Sequence, residues 1–124
     1  PAPRTNPPVE TEITAPAQVR AILRQACYDC HSNRTLWPWY ARVAPVSWLV
    51  ANDVKKGREE VNFTAWNRYT ADEQATYRKE VWKQVERDRM PPRLYRFMHP
   101  EARLSAEQKA IVREWSATTT GGNR

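Results

Sequence analysis

Five consecutive positions constrain this chain more than any others. Cys27-Tyr28-Asp29-Cys30-His31 holds both cysteines and one of the two histidines. In a helix or helical turn, residues i, i+3 and i+4 share a face, so Cys27, Cys30 and His31 can all address one object. Four readings compete for that face: a zinc corner, a redox dithiol, a disulfide and a covalently attached haem. Structural zinc wants four ligands, and beyond these three the chain offers only the distant His99, with no second pair at finger spacing. Adjacent Cys30 and His31 also sit awkwardly on one tetrahedral ion. A thioredoxin-like dithiol expects a βαβ setting, and a disulfide gives His31 no role. Haem attachment uses all three side chains: the thiols form thioethers with two neighbouring vinyl groups while the imidazole reaches the iron, and C-x-x-C-H is read as c-type attachment for that reason.

The surrounding pattern is helical. Val19, Ile22, Leu23, Ala26, Cys27 and Cys30 recur at helical spacing after Pro16, a residue suited to a first turn, so a helix is expected to run into the motif. Residues 32–45, with two prolines and a tight aromatic cluster, read as an ordered loop lying on a ligand. A second helix is expected to bury Val46, Leu49, Val50, Val54 and Val61, with Gly57 near its C-terminal part. Thr70 with Glu73 has the form of a capping box for a third, whose inward face is Tyr77, Val81, Trp82 and Val85 and which Pro91 must end. Ser105 with Gln108 opens a fourth in the same way, with Leu104, Gln108, Ile111, Val112 and Trp115 inward. No β-alternation of comparable length appears, and six Trp with only three Gly argue against a sandwich of many short strands.

Three segments are expected: a Pro-rich tether over 1–16, one domain over 17–117 and a flexible tail over 118–124. No run approaches the ~18 apolar residues of a membrane span, and the chain starts without a charged and hydrophobic leader, so any signal peptide or anchor is expected to have been removed. The net charge is +6, yet no zinc-finger, basic-zipper or RNA-recognition spacing accompanies it. An acidic protein partner is therefore expected rather than nucleic acid.

The blocks "ACYDCHSN", "WPWYARVAPVSWLV", "GREEVNF" and "MPPRLYRFMHPEARLS", followed by the closing helix, resemble the haem-binding domain family of bacterial monohaem c-type cytochromes. The likeness covers most of residues 17–116 in the family's order. It implies an all-α, cytochrome c-like fold of about four helices wrapped around one covalent haem c. It also implies attachment at Cys27 and Cys30, His31 as proximal ligand, and maturation outside the cytoplasm, hence a periplasmic or otherwise extracytoplasmic place in a bacterium. The chain departs from that family at Asp53, where relatives often carry a His.

For the sixth ligand the candidates are Met90, Met98 and His99. Met90 is preferred. It follows a helix, Pro91 and Pro92 hold the chain extended as it passes the porphyrin, and the segment resembles the methionine-proline stretch of small cytochromes c. His99 is the alternative. The Pro45 carbonyl is expected to accept the second N–H of His31, similar to the proline that follows the haem motif in small cytochromes c. Trp37, Trp39, Tyr40, Trp48, Phe63 and Trp66 are expected to wall the haem, and Arg42 or Arg58 to neutralise a propionate. Arg87, Arg89, Arg93 and Arg96 are expected to collar Met90 and steer the acidic partner. The expected function is one-electron transfer by a His/Met-ligated haem rather than enzyme chemistry. A peroxidase-like enzyme or a gas or redox sensor with a labile or absent sixth ligand is the alternative, and a passive haem module within a larger complex a third reading.

Overall fold

The computed structural model describes residues 5–37 and 39–118, the side chains of Trp39, Ala41, Arg93 and Leu94 excepted. Among the described residues the chain forms six α-helices: α1 (Ala17–Ala26), α2 (Tyr28–His31), α3 (Val46–Glu60), α4 (Ala71–Glu86), α5 (Arg93–Met98) and α6 (Ala106–Ser116). The all-α expectation holds. The count exceeds four because α2 and α5 are short helices that local periodicity alone does not separate from their flanks.

Helix starts follow local chemistry. Both expected capping boxes form: Thr70 Oγ1 accepts from the Glu73 N–H while the Glu73 carboxylate accepts from the Thr70 N–H, and Ser105 with Gln108 repeats the arrangement. These satisfy donors that a helix start leaves without partners. Pro16 is the N-cap of α1 rather than its first residue. The end of α4 comes earlier than Pro91 would impose. Asp88 has φ 54, a left-handed conformation that aspartate tolerates better than most residues, and it turns the chain out of the helix two residues after Glu86.

The core explains the packing order. Val19, Ile22, Leu23 and Ala26 form the buried stripe of α1, and Val112 and Trp115 that of α6. Each stripe covers the other, together with Tyr28, Phe63 and Trp66, while α4 lies along α6 and α2 along α3. Burying each large apolar side chain of this set contributes ~1.5–3 kcal/mol.

Two expectations are corrected here. The tether does not extend to residue 16: Ile13 and Ala15 are in the core. The N–H groups of Glu10 and Thr11 donate to the Thr64 carbonyl, and the Trp66 N–H donates to the Thr11 carbonyl. An extended strap without periodicity is buried because its backbone finds partners on the segment after α3. Residues 1–4 and 119–124 lie outside the described residues. The second correction concerns part of α3: Val54 and Val61 are buried as expected, but Leu49 is exposed, and Ser47, Ala51 and Gly57 complete the inward stripe. The reason is distance between backbones. A Cβ on Gly57 would overlap the Cys30 carbonyl, so only small side chains fit where α3 meets α2.

Candidate functional site

The motif is broken at its first cysteine. Helix α1 stops at Ala26, Cys27 has φ −125 and ψ −30, and α2 resumes at Tyr28. The N–H groups of Cys30 and His31 both donate to the Cys27 carbonyl, at 3.2 and 2.9 Å. The expected shared face thus survives in a short turn set at an angle to α1. Both cysteines are free thiols. Burial, then the neighbouring Cys30, pushes the Cys27 thiol up to about 12. Burial, then Asp53 and Asp29, pushes Cys30 up to about 12, against a smaller opposing pull from Arg58. Thiols held neutral lack the depressed pKa that dithiol exchange requires. Among the described residues, no group of three or more His, Cys, Asp and Glu side chains is arranged to hold a bare metal ion.

His31 is oriented by α3. Its Nδ1 lies 2.8 Å from the Gly57 carbonyl oxygen and 3.1 Å from that of Val61. Both are acceptors, so Nδ1 carries the proton and donates, which leaves the lone pair on Nε2. The Phe63 N–H donates to the His31 carbonyl at 2.7 Å, and the Phe63 ring packs 6.0 Å from the imidazole. Behind these contacts lies a buried polar knot. Asn62 donates to Asn33 Oδ1 and accepts from both the N–H and the hydroxyl of Thr64, and the Asn33 N–H donates to Thr64 Oγ1.

Cys27 and His31 open onto a cavity of about 510 Å³ that Met90 also lines. Val61 and Phe63 form one wall. Tyr77, Val81, Gln84 and Val85 line the cavity from α4, with Glu60 and Glu80 among the polar groups. A smaller adjoining cavity of about 160 Å³ is lined again by Cys27, His31, Glu60 and Met90, and adds Cys30, Asp53, Lys56, Pro91, Pro92 and Tyr95. The larger volume falls in the ~300–1,000 Å³ range of cofactor sites, and its mostly apolar lining with few polar groups is the usual composition of one. A flat apolar group with a metal centre fits this donor set: two thiols, an imidazole with a free nitrogen, and a thioether.

Other expected site residues fall elsewhere. Pro45 is exposed; it caps α3 and its carbonyl accepts from Trp48 and Leu49, so the acceptors for His31 are Gly57 and Val61 instead. Trp48 is 56% exposed. Trp37 is half-buried and donates to Asn6. Trp66 is in the core behind Phe63, their rings 6.0 Å apart, and does not line the cavity. Tyr40 lines a third cavity, of about 160 Å³, with Cys30, Tyr95 and Met98. The side chain of Trp39 lies outside the described residues. Of the expected walls, Phe63 alone faces the large cavity. The 32–45 loop lies on the N-terminal strap and on His99 rather than on this cavity, because the Asn6 amide binds the Thr35 carbonyl and Tyr40 bonds His99.

His99 is engaged at both ring nitrogens. Nε2 is 2.5 Å from the Tyr40 hydroxyl, Nδ1 is 3.0 Å from Glu101, and Tyr95 stacks on the ring at 4.4 Å. It lines none of the three cavities. Arg58 is committed to the Ser32 and Thr5 carbonyls and to Asn6 and Thr35, and Arg42 is exposed, so neither stands at the large cavity. Arg87 and Arg89 are exposed beside Met90. Arg96 instead reaches back to Asp88, and the side chain of Arg93 is outside the described residues. The wall that sequence reasoning missed is α4. Its signal was present as the Tyr77, Val81 and Val85 stripe on the helix that leads into Met90.

Residues 1–118 match the family model described as haem-binding domain. No curated protein and no solved structure matches the chain.

Proposed function

The chain belongs to the haem-binding domain family, and from that premise we propose that it is a monohaem c-type cytochrome that carries single electrons. When bound, the haem supplies one-electron exchange between ferrous and ferric iron. Cys27 and Cys30 would hold it through thioethers, and His31 and Met90 would ligate its iron. The observation that carries this reading is the pair of carbonyls on His31 Nδ1. They commit one ring nitrogen and leave Nε2 basic on a residue that lines the same cavity as Met90.

The chain's other residues then have definable parts. Val61, Phe63, Tyr77, Val81 and Val85 exclude water from the cavity, which limits the reorganisation that accompanies a change of charge. The Met90 thioether favours the ferrous form more than a second imidazole would. An electron carrier is favoured over a peroxidase-like enzyme because the histidine nearest Met90 in sequence, His99, is held by Tyr40 and Glu101, lines none of the three cavities, and cannot serve as a distal acid or base without leaving those partners. The work is placed outside the bacterial cytoplasmic membrane, where covalent haem is attached. The partner is an acidic redox protein steered by exposed Arg87 and Arg89.

Mass spectrometry after acid-acetone treatment tests the attachment: one haem should remain on the polypeptide. Near-infrared spectra of the ferric protein should show a sulfur-to-iron charge-transfer band that Met90→Ala abolishes. Extractable haem rules out the c-type reading. A band absent from the wild type, with His99→Ala altering the spectrum, transfers the sixth position to His99.

A further inference from the structure

Helix α3 ends on Gly57-Arg58-Glu59-Glu60. The C-terminal end of a helix carries the negative pole of its dipole and favours cations, so Glu59 and Glu60 stand where carboxylates are least welcome. The cation of that turn is turned away, since Arg58 binds Ser32, Thr5, Asn6 and Thr35. Glu60 lines both cavities that His31 and Met90 line, and among the described residues no Lys or Arg forms an ion pair with it. Lys56 shares the smaller cavity, but so does Asp53, whose charge it offsets. Across the large cavity Glu80 is negative as well, accepting from the Gln84 amide at 2.9 Å.

We propose that the carboxyl-terminal end of α3 is the element that sets the reduction potential at His31, with Glu60 as its adjustable residue. The inference rests on the haem reading above. Two contributions act in one direction. Donation from Nδ1 to the Gly57 and Val61 carbonyls gives the imidazole partial anionic character and makes Nε2 a stronger donor. The Glu60 carboxylate is exposed, yet it lines both cavities without an ion-pair partner among the described residues, so its charge acts on the site through a partly screened path. Both stabilise the more positive, ferric centre and offset part of the ferrous preference that a thioether ligand brings. Glu60 touches no reacting atom; it acts through the field, and an unfavourable helix end is what the chain bears to keep it there.

The experiment is a redox titration of the haem-loaded protein with Glu60→Gln and Glu60→Lys, using Glu59→Gln as control, since Glu59 is exposed like Glu60 but lines none of the three cavities. Covalent haem and the axial spectrum are measured first on each variant. At a fixed ambient potential, Glu60→Gln should lower the ferric-to-ferrous ratio by about three- to tenfold, the size expected of one charge in a partly screened site. A tenfold change is about 59 mV for one electron. Glu60→Lys should move the ratio further the same way, Glu59→Gln by less than twofold, and added salt should narrow the differences. An unchanged axial spectrum with a shifted ratio supports the field effect. A Glu60→Gln shift no larger than that of Glu59→Gln, in protein that carries its covalent haem, overturns the proposal. Wild-type protein without covalent haem overturns the reading it rests on instead.

Discussion

The two sides of the cavity are built by different means. On the His31 side, the imidazole and the backbone of the residue are both held by main-chain groups, at 2.8 Å from Gly57 and 2.7 Å from Phe63. Behind them stand the buried amides of Asn33 and Asn62 and the buried hydroxyl of Thr64. On the Met90 side, the Met90 N–H shares the Gln84 carbonyl with the Arg89 N–H, at 3.3 and 2.9 Å. The turn before it is tied down through Asp88, which meets Lys109 at 3.3 Å and Arg96 at 3.8 Å on a side chain 64% exposed. Buried hydrogen bonds cost ~1–3 kcal/mol when one partner is lost, whereas exposed ion pairs are worth ~0–1 kcal/mol. The His31 imidazole is therefore fixed by the protein alone, whereas Met90 sits on a segment that can adjust.

The comparison breaks first at Asn62. Asn62→Ala leaves the Thr64 N–H and Asn33 Oδ1 without partners in the interior, and should lower stability by about 2–4 kcal/mol in urea denaturation. A loss under about 1 kcal/mol means that water reaches the knot and that the His31 side is no firmer than the other. Next comes Gly57→Ala. Alanine is the better helix former by about 1 kcal/mol, yet its Cβ meets the Cys30 carbonyl. A net loss of about 1–3 kcal/mol is expected from overpacking, together with a shifted His31 Nδ1–H resonance in the ferrous protein. Stabilisation by this substitution contradicts the close approach of α2 and α3.

Met90→Ala should cost only about 1 kcal/mol, because the side chain is half-buried, while removing the charge-transfer band and opening the iron to carbon monoxide. A larger loss of fold stability makes Met90 a core residue first. Asp88→Gly keeps the left-handed turn that φ 54 requires and deletes both ion pairs. Its cost should stay under about 1 kcal/mol and vanish near about 1 M salt, where the Debye length is ~3 Å. A salt-independent loss shows that the Met90 side rests on something other than surface charge. The smallest expected effect on the fold is that of Arg87→Gln with Arg89→Gln: no measurable change in stability or spectrum, and slower electron transfer to an acidic partner at low ionic strength only.

Legibility followed the range of the forces. The capping boxes at Thr70 and Ser105 were readable because donor and acceptor lie within one turn. The α1 and α6 stripes were readable because periodicity reports burial when a helix has one covered face. The strap at Ile13 and Ala15 was missed because an extended segment buried through its backbone has no period to detect. The face of α3 was read only in part, right at Val54 and Val61 and wrong at Leu49, because apolarity was taken as the mark of contact. At Gly57 the contact is between backbones, and the marker is smallness. The aromatic walls failed similarly: Trp48 and Trp66 are equally apolar in sequence, yet one is 56% exposed and the other 3%.

What the sequence alone determined is the set of groups able to serve this site and the local turn that presents three of them: Cys27, Cys30 and His31 share a face because five consecutive residues in a helical turn must. Met90, too, was marked by its own prolines. Only the tertiary structure decided which carbonyls receive the His31 proton, which helix faces it across the cavity, and that Glu60 rather than an arginine stands beside it. Those choices depend on the packing of α3 against α2 and of α4 against α6, contacts between residues far apart in the chain. No local preference encodes them; they follow from how several amphipathic surfaces are covered at once.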